Sequence, residues 1–439
     1  MKKKIVVLGA GVSGVGAAVL AKNKGFDVFV SDKGIITNTN KKVLLNYEID
    51  WEEKTHSFSK ILKADEVIKS PGISDEIDLI KELVASKVSV ISEIEFAFRY
   101  TKARIASITG TNGKTTTSLL LAKILKSAGY DVLVAGNIGV GFAMSIAERD
   151  YDYIVLELSS FQLDGIKYFR SNISIILNIS DDHLDRYSYK MENYVASKLK
   201  ITQNQTEDDI MIYNYDDPFL SSISTNAKLV PISMITELEL GAFYKKNEII
   251  INFKNNNMTM QELALQGKHN MFNSMAAAMA ARVFEVKDSV IRQAMIDFQN
   301  VEHRLEYVIT VHGIDFINDS KATNTNASWY ALESMTKKVV WILGGVDKGN
   351  NYNALVEMAQ NRVKAIICLG ENNNNIINSF RGKVDTITQA SSMKEAVNQS
   401  YTLADKNDVV LLSPACASFD LFANYEDRGL QFKKEVRNL

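Results

Sequence analysis

Short apolar runs alternate with helix-favouring runs along most of the chain, and this alternation predicts parallel α/β sheets. At the start, an apolar run from Lys4 to Leu8 precedes a helical pattern from Ser13 to Lys24, and further strands are predicted at Val28 to Ser31 and Glu66 to Lys69. We therefore predict a Rossmann-like, nucleotide-binding domain over residues 1–92.

The alternation continues from Glu93, with strands predicted at Asp131 to Ala135, Tyr153 to Glu157 and Ile173 to Asn178. It implies a second parallel sheet, in a central α/β domain over residues 93–298.

Residues 208–263 follow a different pattern, because they are rich in Asn and Lys and carry short β-prone runs such as Glu248 to Phe253. They predict a small antiparallel annex to the central domain. An alanine-rich stretch then predicts a helix from Asn270 to Phe284.

The last third alternates again, with strands predicted at Val339 to Leu343, Ala365 to Leu369 and Val409 to Leu412. We predict a second Rossmann-like domain over residues 299–439. The length of 439 residues agrees with roughly three domains of about 150 residues each.

Charge and cysteine usage narrow the class of protein. The 50 basic and 52 acidic side chains nearly balance, so nothing suggests a nucleic-acid or anionic-membrane partner. The basic start resembles a secretory signal, but Ile5 to Leu8 is better explained as the first strand, and no run is long enough to span a bilayer. The two cysteines, Cys368 and Cys416, are expected to be free thiols, which favours the cytoplasm.

The strongest candidate for chemistry is the segment Arg104-Ile-Ala-Ser-Ile-Thr-Gly-Thr-Asn-Gly-Lys-Thr-Thr116. It predicts a buried strand that leads into a phosphate-binding turn and then a helix. Its glycines would let backbone N–H groups converge on an anion, Lys114 would add a cation, and Thr115 would offer a hydroxyl to Mg²⁺. Because the motif is the short form Gly-x-x-Gly-Lys-Thr, an ordinary turn is the alternative interpretation.

A glycine fingerprint, Gly9-Ala-Gly11-Val-Ser-Gly14, separates the first predicted strand from the first helix, and Asp32 ends the second strand. This arrangement is typical of dinucleotide binding, where the carboxylate contacts the ribose. The same geometry serves any nucleotide diphosphate, so NAD, FAD and other nucleotides all remain open.

Several polar side chains follow the strands of the central sheet. Glu157 ends one predicted strand and could bind Mg²⁺, or it could cap the amides of the next helix. His183 could hold a second metal or be structural. Asn137 could bind substrate or hold a turn, and Lys198 reads as part of a solvated helix face.

The last third offers another group of polar residues. Asn270 and Asn273 have the helical spacing to contact a purine, with helix capping as the alternative. Three polar strand exits, at Asp319 to Asn324, Gly344 to Gly349 and Ser413 to Asp420, are expected to meet at one rim of a sheet. Such a rim is better explained as a binding face than as three unrelated turns.

Taken together, these residues resemble the Mur ligases of bacterial cell-wall synthesis, and the resemblance covers all three predicted domains. The motifs that carry it are Gly110-Thr-Asn-Gly-Lys-Thr-Thr116, Glu157-Leu-Ser-Ser-Phe-Gln-Leu163, Asp182-His-Leu-Asp-Arg-Tyr187, His269-Asn-x-x-Asn273, Asp319-Ser-Lys-Ala-Thr-Asn324 and Ser413-Pro-Ala-Cys-Ala-Ser418. The last two distinguish the members of the family that add D-glutamate.

The resemblance implies an ATP-dependent ligase that joins D-glutamate to UDP-N-acetylmuramoyl-L-alanine through an acyl phosphate, in cytoplasmic peptidoglycan precursor synthesis. It further implies two Mg²⁺ sites, a carbamylated lysine and a monomeric enzyme. The expected partners are therefore ATP and these two small-molecule substrates, with no nucleic acid and no membrane insertion.

The resemblance also assigns residues to each role. Catalysis would use Lys114, His183 and Lys198. ATP would bind Gly110, Thr111, Asn112, Gly113, Lys114, Thr115, Thr116, Asn270, Asn273, Arg304 and Asp319. The UDP-linked substrate would bind Val12, Ser13, Asp32, Ser70, Gly72, Asn137, Ser159, Gln162 and His183. D-glutamate would bind Lys321, Thr323, Lys348, Ser418 and Tyr425, the last in place of the usual Phe. The metal ligands would be Thr115, Glu157, His183 and Lys198 as its carbamate.

Three other functions compete with this interpretation. Folylpolyglutamate synthase shares the short phosphate loop but lacks an N-terminal dinucleotide-type unit such as residues 1–92. An NAD-linked oxidoreductase would need a hydride-transfer acid or base that the sequence does not reveal. A non-catalytic nucleotide sensor would leave Glu157, His183 and Lys198 without a purpose.

Overall fold

The computed structural model describes residues 2–221, 223–254, 256–260, 268–298, 302–347 and 349–439. The chain forms two compact units, the first comprising Met1–Glu262 with Phe272–Ile296 and the second Leu263–Met271 with Asp297–Leu439. Each unit has its own sheets and its own core.

The first sheet of the first unit has five parallel strands in the order β3-β2-β1-β4-β5. Its strands are β1 (Lys4–Leu8), β2 (Asp27–Asp32), β3 (Asp50–Glu53), β4 (Glu66–Lys69) and β5 (Ser89–Ser92). The helices that accompany them are α1 (Val12–Asn23), α2 (Asn38–Asn46), α3 (Phe58–Ile61), α4 (Asp78–Ala85) and α5 (Glu93–Phe98). The predicted parallel α/β sheet is confirmed, and β1 lies at the point where the strand order reverses.

The second sheet of this unit has nine strands in the order β14-β13-β12-β11-β10-β9-β6-β8-β7. Its strands are β6 (Arg104–Thr109), β7 (Val132–Gly136), β8 (Tyr153–Glu157), β9 (Ile173–Ile176), β10 (Ile210–Asn214), β11 (Lys228–Ser233), β12 (Gly241–Lys245), β13 (Glu248–Phe253) and β14 (Asn256–Met260). Its α-helices are α6 (Lys114–Ser127), α7 (Phe142–Glu148), α8 (Ser160–Asp164), α9 (Met191–Leu199), α10 (Lys268–Val283) and α11 (Asp288–Ile296), and 3₁₀ turns cover Leu184–Tyr187 and Lys200–Thr202.

The predicted antiparallel annex is confirmed for the outermost strands of this sheet, and the prediction is wrong for β10 and β11. Strands β12, β13 and β14 pair antiparallel, but β10 and β11 continue the parallel sheet from β9. The local sequence does not reveal this continuity, because the parallel direction of β10 and β11 follows from pairing between strands that are separated in the chain, as β10 is from β9.

The second unit contains a six-stranded sheet in the order β15-β16-β20-β17-β18-β19. Its strands are β15 (Glu306–Val311), β16 (Ile314–Asn318), β17 (Val339–Gly344), β18 (Val363–Leu369), β19 (Thr386–Ala390) and β20 (Val409–Ala415), and its helices are α12 (Thr325–Glu333), α13 (Asn353–Arg362), α14 (Asn374–Phe380), α15 (Met393–Leu403) and α16 (Tyr425–Arg437). Only the β15–β16 pair is antiparallel. Buried side chains cover both faces of this sheet, as the doubly wound prediction requires.

The strands of the three sheets fall within the predicted ranges 1–92, 93–298 and 299–439. The domain boundaries themselves stay a prediction. In the described residues, no helix combines the length and the apolar character needed to cross a membrane.

Candidate active site

The phosphate loop connects β6 to α6, as its sequence predicts. Gly113 has φ of +85°, and a Cβ there would overlap Oδ1 of Asn273. Glycine is therefore required twice over, by conformation and by space. The amide of Asn273 thus lies directly against the loop.

The loop is held open by Asn178, a residue to which sequence reasoning assigned no role. Its Oδ1 accepts a hydrogen bond from the backbone N–H of Asn112 at 2.9 Å, and its Nδ2 donates to the Asn112 carbonyl at 3.1 Å. Thr111 is tied at the same place, since its hydroxyl lies 3.0 Å from the backbone nitrogen of Ser180 and 3.2 Å from the Tyr194 hydroxyl. These contacts hold the backbone of the loop in place.

Lys114 lies across the loop that it follows. Its Nζ donates to the carbonyls of Gly110 and Thr111, each at 2.8 Å. A cation held by two neutral carbonyls can transfer to a phosphate, which is a stronger acceptor. Thr115 and Thr116 begin the helix behind it and are buried.

Glu157 ends β8 beside the loop and is 1% exposed. Its Oε2 accepts from the Thr115 hydroxyl at 2.8 Å, and its Oε1 accepts from Asn137 Nδ2 at 2.9 Å. Glu157 does not cap the Ser159 amide, because that N–H donates to Gln162 Oε1 at 3.0 Å in a capping box. A carboxylate, a hydroxyl and an amide from three separate elements therefore meet at one point.

The prediction that Lys198 belongs to a solvated helix face is wrong. Lys198 is 2% exposed, its Nζ donates to the Gly110 carbonyl at 2.9 Å and stands 4.6 Å from the centre of the Tyr194 ring. The reason is that this face of α9 packs on the loop rather than facing water. Burial first, and then the nearby Lys114, hold the pKa of Lys198 well below its ordinary value of 10.5, while Asp182 opposes the shift.

His183 follows β9 and adopts a left-handed conformation with φ of +53°. Its ring is partly exposed, lies 3.8 Å from Asp182 Oδ1 and meets the Phe161 ring edge-on at 5.1 Å. A non-glycine residue held in this conformation indicates that the surrounding structure positions it.

The glycine fingerprint of the first sheet connects β1 to α1, and within it Val12 is 66% exposed and Ser13 is partly exposed. Gly72, two residues after Ser70, is also exposed. The carboxylate of Asp32 accepts from the backbone N–H groups of Ala10 at 2.6 Å and Gly34 at 2.7 Å. Asp32 therefore shapes the loop between β1 and α1. These groups share the carboxyl edge of one parallel sheet, as the fingerprint predicts.

In the second unit, the three predicted strand exits belong to neighbouring strands β16, β20 and β17. The exits of β17 and β20 are joined by a hydrogen bond from Val346 N to the Ala417 carbonyl at 2.8 Å. Asp319, 6% exposed, accepts from the Ser413 hydroxyl at 2.9 Å, and burial raises its pKa to about 7. The nearby Arg304 opposes that rise in pKa.

The D-glutamate candidates are distributed along this rim. Lys321 Nζ lies 5.0 Å from the centre of the Tyr425 ring, a cation–π distance. Ser418 is buried and Thr323 is exposed. Lys348 lies outside the described residues. Asn270 lies in the first turn of α10, in the short part of that helix assigned to the second unit, three residues before Asn273.

Sequence reasoning missed Arg428, which is 1% exposed on α16. Its guanidinium donates to the Ser320 carbonyl at 2.8 Å and to the Cys416 carbonyl at 3.2 Å, and so ties two strand exits together. An arginine on an amphipathic helix gives no sequence signal of burial. The two cysteines, Cys368 and Cys416, are buried free thiols as predicted.

Comparison with known proteins gives three matching family models. They are the MurD N-terminal domain over residues 4–79, the Mur ligase middle domain over 108–281, and the glutamate ligase domain of Mur ligases over 303–416. A curated UDP-N-acetylmuramoylalanine–D-glutamate ligase of Christiangramia forsetii is 52% identical over the whole of both chains. This chain belongs to the Mur ligase family.

A second relative of the same name, from Porphyromonas gingivalis, is 50% identical over 100% of this chain and 99% of its own. Two solved ligase structures share the fold at low identity. The pseudomurein peptide ligase type C of Methanothermus fervidus has a TM-score of 0.62 at 22% identity, covering 99% of each chain. The MurF ligase of Thermotoga maritima, solved with ADP, has a TM-score of 0.63 at 16% identity, covering 96% of this chain and 99% of its own. The three-domain Mur ligase fold is thus confirmed.

Proposed function

We propose that this chain is an ATP-dependent ligase that adds D-glutamate to UDP-N-acetylmuramoyl-L-alanine in peptidoglycan precursor synthesis. The observation that carries the proposal is its 52% identity, over the full length of both chains, to a curated ligase of that name. The match to a glutamate ligase domain over residues 303–416 agrees with an amino-acid site on the third sheet.

The reaction needs a carboxylate to be activated before an amine can attack it. The alanyl carboxylate takes the γ-phosphoryl group of ATP, which gives an acyl phosphate and ADP. The amine of D-glutamate then adds to the acyl carbon, and phosphate leaves as the amide forms. The phosphate loop suits the first step because its N–H groups and the N-terminus of α6 bind anions.

Lys114 is the group we assign to the transferring phosphate. It stands across the loop on the carbonyls of Gly110 and Thr111, and a phosphate oxygen would replace these neutral acceptors. Positive charge at that point stabilises the negative charge that spreads over the transferring group.

Mg²⁺ fits the donor set in the first unit. Glu157 and Thr115 offer buried oxygen ligands of the kind that Mg²⁺ prefers. Bound there, Mg²⁺ would reduce the repulsion between a carboxylate substrate and a triphosphate. We assign a second ion to His183 and to Lys198 as its carbamate.

The environment of Lys198 supports carbamylation. Attack on CO₂ requires a neutral amine, and burial of Lys198 beside Lys114 favours the neutral form by lowering its pKa. The product is an anion that the adjacent Lys114 stabilises, so the charge balance that disfavours an ammonium favours a carbamate.

The remaining assignments follow the family motifs. We propose that the UDP-linked substrate uses the fingerprint loop with Asp32 and Ser70, and that Asn137, Ser159, Gln162 and His183 contact its muramoyl-alanine part. Arg304 and Asp319 would contribute to ATP binding with Asn270 and Asn273. Lys321 and Lys348 supply positive charge for the two carboxylates of D-glutamate, with Thr323, Ser418 and Tyr425 beside them. We expect the ligase to act as a monomer in the cytoplasm.

The test is phosphate release from ATP with Mg²⁺ and UDP-N-acetylmuramoyl-L-alanine, with D-glutamate, L-glutamate or D-alanine added separately. We expect release that depends on both the UDP-linked substrate and D-glutamate, with the matching amide product identified by mass spectrometry. Release with D-alanine instead of D-glutamate would contradict the substrate assignment. No release with any amino acid would contradict the ligase reaction.

A further inference from the structure

The turn that follows β4, Ser70–Ile73, is held by two cations. The Ile73 carbonyl accepts from Lys69 Nζ at 2.7 Å and from Arg186 Nη2 at 3.2 Å. The same Arg186 nitrogen also donates to the Pro71 carbonyl at 2.8 Å. Lys69 belongs to the strand from which the turn leaves, whereas Arg186 comes from the 3₁₀ turn Leu184–Tyr187 beside the second sheet. One side chain therefore links the two sheets of the first unit at this turn.

The Ser70–Ile73 turn also lies against the glycine fingerprint. Gly9 has φ of +90°, and a Cβ there would come within 2.6 Å of Ser70 Oγ. The Ser70 hydroxyl also lies 3.4 Å from the Gly9 carbonyl. Because the two loops touch without space between them, a shift of the Ser70–Ile73 turn displaces the loop that we assign to the UDP-linked substrate.

The other side of Arg186 contacts the metal-binding region. Its guanidinium lies 4.1 Å from the centre of the Phe161 ring. That ring stacks on Tyr187 at 6.1 Å and meets the ring of His183 edge-on at 5.1 Å. The contacts form a continuous series from the Pro71 carbonyl to His183.

The segment around Arg186 needs such contacts to keep its shape. His183, Ser188 and Tyr189 have positive φ values of 53°, 56° and 57°. None of them is glycine, so their conformations persist only where the surroundings impose them. Arginine suits this place because its planar head can stack on a ring and donate in its own plane at once, which lysine cannot do.

We infer that Arg186 is a positioning residue that couples the Ser70–Ile73 turn to His183, so that binding of the UDP-linked substrate and alignment of the reacting groups depend on the same side chain. The inference rests on the proposed function, since it takes Ser70 and His183 as contacts of that substrate. It adds a role for a residue that contacts neither substrate in the proposal.

The first test is Arg186→Met, which keeps an apolar stem over Phe161 and removes both hydrogen bonds. We expect KM for UDP-N-acetylmuramoyl-L-alanine to rise by about ten- to a hundredfold, the loss typical of hydrogen bonds from a charged group, and kcat to fall as well. KM for D-glutamate is expected to stay unchanged, because its candidate residues lie in the second unit. Arg186→Lys should restore only part of the loss.

The matched control is Lys190→Met, which removes a cation from the exposed end of the same segment and should leave all kinetic constants unchanged. A Ser70→Ala variant and the Arg186→Met/Ser70→Ala double variant then complete a double-mutant cycle with the wild type and Arg186→Met. If Arg186 acts through the turn, the two effects on KM are less than additive. Full additivity would contradict the inference, because Arg186 would then act independently of Ser70.

The outcomes separate this inference from the proposed function. A wild-type protein that releases no phosphate contradicts the function itself. An active wild type with an Arg186→Met variant of unchanged KM for the UDP-linked substrate contradicts the inference alone. Equal rises in KM for both substrates, with a lower unfolding temperature, would show a merely structural role. If Arg186→Met does not fold, Arg186→Lys gives the same comparison with a smaller expected change.

Discussion

Two lysines, Lys198 and Lys321, show how the surroundings of one residue type decide its chemistry. Lys198 in the first unit is buried, donates to the Gly110 carbonyl and has a second lysine, Lys114, nearby. Lys321 in the second unit is partly exposed and lies over the Tyr425 ring. The first environment disfavours an ammonium ion, whereas the second stabilises one. This contrast is the basis of our proposals that Lys198 becomes an anion, as its carbamate, and that Lys321 binds an anionic substrate.

The largest effect is expected from Lys198→Ala, which removes the group that we propose to carry the carbamate. Loss of a buried electrostatic contact at a reacting group typically lowers kcat by about 10²–10³-fold. We expect a loss of at least this size in phosphate release, with the fold retained by circular dichroism. An active Lys198→Ala enzyme would remove Lys198 from the mechanism.

Lys321→Met should change KM rather than kcat, since it removes a cation that we propose binds substrate and does not align the reacting groups. We expect KM for D-glutamate to rise by about ten- to a hundredfold, in line with loss of a charged hydrogen bond. KM for the UDP-linked substrate should stay the same. Lys394→Met, an exposed lysine on α15, is the control. A change that affects both substrates equally would contradict the assignment.

Stability should depend on pH through Lys198 in CO₂-free buffer without nucleotide. The pKa of Lys198 is lower in the folded protein than its ordinary value of 10.5. At a pH between the folded and the unfolded pKa, the unfolded chain therefore binds more protons than the folded one. Stability therefore rises with pH through that window, by up to about 1.4 kcal/mol per pH unit. The stability of Lys198→Met should lack this contribution to its pH dependence.

The measurement is thermal unfolding of both proteins at pH 7, 8 and 9. Any stability advantage of Lys198→Met should shrink as the pH rises. A difference that does not change with pH would show that the side chain of Lys198 titrates normally in the fold.

The smallest effect is expected from Tyr425→Phe, which keeps the ring under Lys321 and removes its hydroxyl. We expect KM for D-glutamate to rise by about two- to tenfold, the range for one neutral hydrogen bond. Tyr425→Leu, which also removes the ring, should raise it further because the cation–π contact is lost. An unchanged KM in Tyr425→Phe would show that the hydroxyl does not contact the amino acid.

The parts of the fold that sequence patterns predicted are those whose signal is continuous in the chain. The strands Glu66–Lys69 and Tyr153–Glu157 have the predicted bounds, because the apolar residues within each are consecutive in the chain. The phosphate loop was predicted for the same reason, because the residues from Gly110 to Thr116 that fold around an anion are consecutive in the chain. The prediction for β10 and β11 was wrong because the direction of a strand is set by its pairing partners, β9 for β10 and β10 for β11, and not by its own sequence.

The parts of the candidate site that the patterns missed depend on contacts between distant residues. Burial of Lys198 comes from a loop 88 positions earlier, so only the family resemblance indicated a role for it. The pairing of Asn178 with Asn112 joins residues 66 positions apart. Arg428 reaches Ser320 over 108 positions. No periodicity within one helix or strand reports such contacts.

The most direct test of the contrast between the two lysines is ¹³C nuclear magnetic resonance of the protein in ¹³C-bicarbonate. We expect a carbamate signal in the wild type and in Lys321→Met, and its loss in Lys198→Met. Absence of the signal from the wild type, or its persistence in Lys198→Met, would contradict the claim that burial makes Lys198 the residue that accepts CO₂.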